Sequence, residues 1–162
     1  MAVEYNIREI GPQDNKAVEQ VIRSCLIEFG GDHEGTAWAD PMLGRFSEVY
    51  SVPDSRYWVA VDENGKVVGG VGIGRLDGAD GLCELQKMYL LPQARGTGLA
   101  QRLMDKALGF ASQHYERCYL ETLDNMTAAQ RFYEKNGFVR VREPVVTTDH
   151  FACEVRYIKE LL

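Results

Sequence analysis

The segment "LLPQARGTGLAQRLM", residues 90–104, joins an apolar run to a helical pattern through a short loop that holds a proline, an arginine and two glycines. Before it, residues 81–91 ("GLCELQKMYLL") predict a strand that ends at Pro92. After it, apolar residues recur at helical spacing, and the predicted inner face is Leu99, Ala100, Leu103, Met104, Ala107, Leu108 and Ala111. A strand therefore leads through this loop directly into a helix.

The loop has the properties of an anion site. Gly96 and Gly98 carry no side chains, so a ligand can approach the backbone and the free amides of the first helical turn. The partial positive charge of a helix N-terminus and the guanidinium of Arg95 both favour a diphosphate. A Walker loop is excluded because Leu99 and Ala100 follow the last glycine, and a dinucleotide fingerprint is also missing. The other glycine-rich stretch, "GGVGIG" (69–74), continues into "RLDGADG" rather than a helix and is predicted to be a strand.

The rest of the chain alternates between strand and helix patterns. Residues 3–10 predict a strand, 12–29 a helix with apolar residues on one face, and 42–51 a short second helix. Residues 56–76 predict two antiparallel strands around the turn at Asn64-Gly65. Strand 117–123, helix 126–136 stopped by Gly137, and strands 138–143 and 150–161 follow. The predicted order is βααβββαβαββ, an α/β (α+β) fold in a single domain over residues 1–162.

Composition limits the class of protein. The chain has 162 residues, 45% hydrophobic and 26% charged, which is typical of one globular domain. No apolar run approaches the roughly 18 residues of a membrane span, and we expect neither a signal peptide nor a membrane anchor. Four cysteines lie far apart without a CxxC pair, so we expect reduced thiols, no metal site and a cytoplasmic protein. Residues 1–90 hold 15 acidic and 8 basic side chains against 9 and 10 in the remainder, which argues against a nucleic-acid partner.

Two blocks of sequence resemble a known family. Residues 95–100 ("RGTGLA") resemble the R/Q-x-x-G-x-G/A signature of the GNAT superfamily of acetyl-CoA-dependent N-acetyltransferases, and residues 83–92 resemble its central strand. Residues 119–138 ("YLETLDNMTAAQRFYEKNGF") are similar to its carboxyl-terminal signature, with matches at Asn125, Ala128, Tyr133, Gly137 and Phe138. The predicted order of elements agrees with the family as well, so the resemblance covers nearly the whole chain.

The resemblance implies a fold and a cofactor site. The fold is a central mixed, mostly antiparallel sheet with helices on both faces and splayed central strands. The cofactor is acetyl-CoA, without a metal. The residues implied to hold it are Met88, Tyr89, Leu90, Arg95, Gly96, Thr97, Gly98, Leu99, Ala100 and Asn125. A backbone amide at the end of the central strand would polarise the thioester carbonyl. Asn125 could instead, or also, cap the following helix.

Acyl transfer to an amine needs a base and an acid, because an alkylamine of pKa near 10 is protonated at neutral pH. Tyr133 matches the family position of the acid that reprotonates the thiolate; the alternative is a core aromatic beside Phe132. Glu84 is our first candidate for the base, directly or through water, since strand alternation places it on the same face as Met88. The alternative for Glu84 is a surface carboxylate at the start of a strand, and Glu121 and His150 are other candidate bases.

His150 and Cys153 do not suggest a cysteine nucleophile, since a spacing of three within a strand entry points them to opposite faces. The predicted function is acetyl transfer to a primary amine of a small molecule by direct attack in a ternary complex. The alternatives are a catalytically silent acyl-CoA-binding module and acetylation of a protein amine.

The acidic first half suggests a small cationic acceptor, drawn by Glu28, Asp32, Glu34 and Asp40. Solvated surface acid is the alternative explanation of that charge. We expect no nucleic-acid or membrane partner, and a homodimer is the commonest assembly for such a chain.

Overall fold

Within residues 3–143 and 152–161, which the computed structural model describes, the chain forms seven strands and four α-helices in the predicted order βααβββαβαββ. The strands are β1 (Asn6–Glu9), β2 (Arg56–Val61), β3 (Val67–Arg75), β4 (Leu82–Leu90), β5 (Arg117–Thr122), β6 (Val139–Val141) and β7 (Val155–Glu160). The helices are α1 (Asn15–Glu28), α2 (Phe46–Val49), α3 (Leu99–His114) and α4 (Thr127–Lys135).

The second helix is much shorter than the prediction of 42–51. Gly44 lies just before it at a φ of +93°, a left-handed conformation that no α-helix can continue through. The helix therefore begins at Phe46, and its single turn serves to bury that ring. The glycine-rich stretch 69–74 is confirmed as strand, within β3.

The strands form one mixed sheet in the order β1-β2-β3-β4-β5-β7-β6. All neighbours pair antiparallel except β4 and β5, whose parallel pairing is made possible by the crossover through α3. That parallel pairing covers only Leu82–Glu84 against Arg117–Tyr119, although both strands continue further. The expected splay of the central strands is thus confirmed, and it opens a gap in the middle of the sheet.

Helices cover both faces of the sheet, as predicted. One face packs against α1 and α2, in a core that includes Ile22, Phe46 and Tyr57. The other face packs against α3 and the Tyr133 end of α4, around Leu103 and Met104. Each helix packs one apolar stripe against the sheet. This packing fixes the positions of α3 and α4, and with them the loops that lead from β4 and β5 into these helices.

A β-bulge interrupts β4 at Lys87. The register with β3 passes from Gly72–Gln86 to Gly70–Tyr89, so two residues of β4 stand opposite one of β3. Lys87 adopts a φ of +51°, the one positive φ of a non-glycine residue in the part of the chain that the structure describes. The bulge reverses the alternation: Leu85 and then Met88 pack on the α3 side, and Tyr89 packs on the α1 side. The prediction that Glu84 and Met88 share a face is therefore wrong.

Asp14 ties β1 to the start of α1. Its buried carboxylate accepts two hydrogen bonds from the Arg8 guanidinium, at 2.6 and 2.9 Å, and one from the Gly11 amide at 2.8 Å. The bonds from Arg8 lower the pKa of Asp14 below its ordinary value. Since α1 forms a wall of the site described below, this anchor helps to place that wall.

We predict that Asp14→Asn lowers the free energy of unfolding by about 1–3 kcal/mol at neutral pH, because an amide cannot accept the paired bonds of Arg8. The folded-state pKa of Asp14 is depressed, so its stabilisation is present above the unfolded pKa of about 3.9 and is lost as the pH falls through the folded pKa. Urea titrations of wild type and variant should therefore converge in acid. The control is Glu9→Gln, which breaks the exposed pair with Arg56; an equal loss there would contradict the prediction.

Candidate active site

An apolar cleft of about 320 Å³ opens where β4 and β5 separate. One wall is formed by Cys25 and Phe29 at the end of α1 and the other by α4, with Met88, Tyr89 and Leu90 of β4 between them. Small residues, Gly96, Ala100, Ala128 and Ala129, line its entrance and leave room for a long, thin ligand. The cleft thus runs from the glycine loop to the gap between the strands.

The loop before α3 has the geometry of an anion site. Gly96 and Gly98 adopt φ values of +73° and +84°, and a Cβ on either would meet no atom within 4 Å. Gly98 is the N-cap of α3 and brings no side chain to the first turn, in which the Leu99 amide makes a long hydrogen bond of 3.4 Å to the Thr97 hydroxyl. Thr97 braces the loop, because its hydroxyl donates to the Ala94 carbonyl at 2.6 Å. The side chain of Leu99 is buried in the core, so only its backbone can contribute to a ligand.

The predicted cation of this site, Arg95, lines the cleft but already has a partner. Its guanidinium donates two hydrogen bonds to Glu28 at 2.7 and 2.8 Å, and its Nε donates to the Leu90 carbonyl at 3.0 Å. Arg95 also lies over the Phe29 ring. The arginine therefore fastens the end of α1 to the end of β4 across the mouth of the cleft.

Asn125 does not cap α4, since the N-cap of that helix is Met126. Its side-chain amide instead donates to the Phe29 carbonyl at 2.7 Å. The end of α1 is thus held from both sides of the gap, by Arg95 after β4 and by Asn125 after β5. The predicted contact of Asn125 with a pantetheine arm remains a prediction.

A second cavity, which we call the charged pocket, meets the cleft from the α1–α2 side. It is narrow, about 50 Å³, and its lining includes Glu84, Lys87, Glu121, Thr122 and Cys153. Four residues line both cavities, namely Met88, Tyr89, Met126 and Tyr133. The gap in the sheet is therefore a passage in which ligands of the two cavities would meet.

Glu84 is buried at the head of this passage, not a surface carboxylate, with 5% of its surface exposed. Burial raises the pKa of its carboxyl, which brings its basicity nearer to that of an amine. Gln86 Nε2 donates to Glu84 Oε1 at 2.7 Å, and the Tyr50 hydroxyl donates to Gln86 Oε1 at 2.6 Å. A methyl group on Gly74 would lie 2.5 Å from Gln86 Oε1, so the glycine in β3 allows this chain of bonds.

Tyr133 lies at the junction of the cleft and the pocket, and its role as the acid stays a prediction. Its ring packs in the core against Phe138 and Tyr157. Its hydroxyl makes no hydrogen bond with any described residue, and burial raises its pKa to about 12. The hydroxyl is therefore protonated at neutral pH and available as a proton donor.

The alternative bases Glu121 and His150, and the thiol of Cys153, were the other polar groups considered from the sequence. Glu121 lies in the charged pocket, where the Tyr119 hydroxyl donates to it at 3.0 Å. His150 lies outside the described residues. Cys153 lines the pocket, and burial with the nearby charge of Glu121 raises its thiol pKa to about 11, which disfavours a thiolate.

The four acids proposed to attract a cation do not line a cavity as a group of unpaired carboxylates. Glu28 is paired with Arg95, and Asp40 lies 3.3 Å from Lys87 Nζ. Asp32 and Glu34 are exposed in the loop after α1. The charge count of the sequence could not show that Lys87 and Arg95 pair with two of these acids.

Lys87, Gln86 and Phe29 belong to the site although the sequence patterns did not indicate them. Lys87 and Gln86 fall inside the central strand, where a regular alternation gave no sign of the bulge. Phe29 reaches the cleft only because Arg95 and Asn125 hold the end of α1 there. The run of polar residues Glu84, Gln86 and Lys87 in a largely apolar central strand was a signal that could have indicated the latter two.

Comparison with known proteins agrees with this geometry. Residues 17–138 match the model of the acetyltransferase (GNAT) family. The chain belongs to the GNAT acetyltransferase family. It is 43% identical to an uncharacterised N-acetyltransferase of Escherichia coli over 96% of this chain and 94% of that protein.

Two further matches concern the fold and a relative with a named product. A crystal structure of a GNAT acetyltransferase from Staphylococcus aureus superimposes with a TM-score of 0.85 and 25% identity, over 98% of this chain and 100% of the other. An N-acetylaspartate synthetase of Xenopus tropicalis is 42% identical over 90 residues, which are 55% of this chain and 32% of that protein.

This GNAT acetyltransferase is accordingly an acyltransferase, and its family uses acetyl-CoA. Among the described residues, no group of three or more His, Cys, Asp or Glu side chains is arranged to hold a metal ion. Likewise, none of the described helices is long and apolar enough to cross a membrane.

We predict that Gly96→Glu and Gly98→Pro each weaken coenzyme A binding by at least ~100-fold, because a carboxylate or a ring would occupy the place of the diphosphate. Gly109→Glu is the matched control, as it introduces the same charge on α3 at an exposed glycine with open space around it. Calorimetric titration should find the control unchanged. If every variant bound coenzyme A with the affinity of the wild type, the loop would not be part of the cofactor site.

Proposed function

We propose that the protein transfers the acetyl group of acetyl-CoA to the primary amine of a small molecule, by direct attack within a ternary complex. The observation that carries the proposal is the passage between the apolar cleft and the charged pocket at Met88, Tyr89, Met126 and Tyr133. The cleft suits a thin pantetheine arm, and the glycine loop at its far end suits the diphosphate. The charged pocket is then the acceptor site, and its small volume favours a small molecule over a protein chain.

The bulge supports a role for a backbone amide as a donor to the thioester carbonyl. Lys87 and Met88 have no register partner on β3, and β4 has none on β5 beyond Glu84. The Met88 amide is therefore released toward the gap, where it would hydrogen-bond the thioester oxygen. Such a donor stabilises the developing oxyanion by about 3 kcal/mol.

Glu84 and Tyr133 complete the proton transfers. Glu84 accepts a proton from the acceptor ammonium, directly or through a water, and the neutral nitrogen attacks the acetyl carbon. The carbon–sulfur bond then breaks, and the Tyr133 hydroxyl donates its proton to the departing thiolate. The nitrogen of the new amide releases its extra proton to the resulting tyrosinate, directly or through water, which restores Tyr133. Protonation neutralises the buried carboxylate of Glu84, and the burial that raises its pKa favours this step.

The name of one relative supplies a first acceptor to examine. The matched N-acetylaspartate synthetase acts, by its name, to form an acetylated amino acid. Assay of free thiol release with a panel of amino acids, polyamines and amino sugars tests the proposal. Release that depends on one amine class supports it, and the absence of release with every amine would overturn it. A single domain over residues 1–162 and a homodimer remain predictions.

Tyr133→Phe should lower kcat by at least ~10-fold with little change in the KM for acetyl-CoA, because the proton donor acts only in the transition state. Tyr157→Phe is the control: it also removes a buried tyrosine hydroxyl, but one that donates to Glu134 at 2.6 Å, away from the cleft. Full turnover in Tyr133→Phe would leave this tyrosine with a packing role alone.

Glu84→Gln should lower kcat/KM by roughly 100-fold and remove the acid limb of the pH profile. Because burial raises the pKa of Glu84, that limb lies above the ordinary range for a carboxyl, with activity rising as the group loses its proton. Glu121→Gln tests the alternative base in the same pocket. If Glu121→Gln removes the acid limb of the pH profile and Glu84→Gln retains it, the base is Glu121 and not Glu84.

A further inference from the structure

One cation lines the charged pocket and a second lies beside it, and an amine acceptor needs neither. Lys87 lines it with only 8% of its side chain exposed. Arg156 lies behind Glu121, with its Nε 3.8 Å from Glu121 Oε2. Lys87 and Arg156 would repel an ammonium ion that enters the pocket, at a cost that grows with burial.

Both cations retain hydrogen-bonding capacity. Lys87 Nζ carries three N–H donors, and Asp40 Oδ2 at 3.3 Å is the acceptor that it faces among the described residues. The buried Nε of Arg156 has no hydrogen-bond acceptor in the part of the chain that the structure describes. A buried donor left without an acceptor is unfavourable, and a bound anionic group would relieve it.

The cations and the carboxylates all lie near Cys153. The thiol of Cys153, which lines the pocket, is influenced by the charges of Glu84 and Glu121 and by those of Lys87 and Arg156. Glu84, Glu121 and Lys87 therefore line a space of about 50 Å³, and Arg156 lies beside Glu121. Such a pocket matches a ligand that carries both charges, rather than a polycation.

We propose that the acceptor is an amino acid whose carboxylate is bound by Lys87 and Arg156 while its amine faces Glu84. This inference rests on the function proposed above, and it assigns Lys87 and Arg156 as the residues that determine acceptor specificity. It also replaces the expectation of a cationic acceptor, since two of the four acids behind that expectation are already paired.

The test measures kcat/KM for the common L-amino acids, each paired with its carboxamide. The carboxamide amine has the lower pKa and is more neutral at a given pH, so a preference for the acid cannot arise from amine basicity. We expect at least one amino acid to be preferred over its amide by roughly tenfold or more. Preference for amides, or for spermidine, would overturn the inference and leave acetyl transfer to amines intact.

Variants identify the residues. Lys87→Met and Arg156→Gln should each raise the KM for the amino acid by about tenfold or more, with kcat/KM for the amide changed less than about twofold. Lys87→Arg should restore much of the loss because it retains the charge. Lys106→Met and Arg140→Gln are matched controls at exposed positions on α3 and β6. Equal losses on the acid and the amide would assign the two residues a structural role and overturn the inference.

A binding measurement tests the carboxylate site independently of acetyl transfer. Calorimetric titration of the preferred amino acid, or of each amino acid if none is acetylated, into the coenzyme A-saturated protein should show binding that Lys87→Met or Arg156→Gln abolishes. Binding without any acetyl transfer would support the carboxylate site and overturn the proposed function. No binding of any amino acid would overturn the inference.

Discussion

The separation of β4 from β5 is the constraint on which the site depends. After three paired residues the two strands diverge, and the backbone groups that would have completed a sheet are left facing a gap. The β-bulge at Lys87 adds to this, because it takes one more amide out of the pairing with β3. Elements from both faces fill the sides of the gap, so cleft, pocket and passage all follow from one interruption of the sheet.

The gap needs support, since an unpaired stretch of sheet is costly unless its surroundings hold it open. The end of α1 provides that support by bonding to Arg95 on one side and to Asn125 on the other. Asp14 and Arg8 hold the opposite end of α1 against β1. Charged and polar contacts thus place a helix whose apolar face alone would allow it to slide along the sheet.

Electrostatics in the gap is decided by pairing rather than by net charge. The chain carries a net charge of −6, yet the acids nearest the cleft are matched by Arg95 and Lys87. Glu84 differs from them, because Gln86 rather than a cation is its hydrogen-bond partner, and burial raises its pKa. Among the described residues, Glu84 is thus a buried carboxylate that accepts its hydrogen bond from a neutral group, which suits it to take up a proton.

The order of elements could be derived from the sequence because apolar periodicity and turn residues act over a few neighbours. For the same reason the glycine loop before α3 was recognisable, since its strand, its two glycines and its helix are contiguous. The family resemblance extended this to Tyr133. Even so, the local patterns gave a wrong start for α2, which begins after Gly44, at Phe46. They also gave a wrong face for Met88, because the bulge reverses the alternation.

Only the tertiary structure could decide which charges meet. Glu28 and Arg95 are separated by 67 positions in the chain, and Lys87 reaches Asp40 because the bulge turns it toward the α1–α2 side. Arg156 approaches Glu121 because β5 and β7 pair in register at those residues. A sequence records how many charges there are and which local elements carry them, but ion pairing depends on distances of a few ångströms, and these are set by how the sheet and its helices pack together.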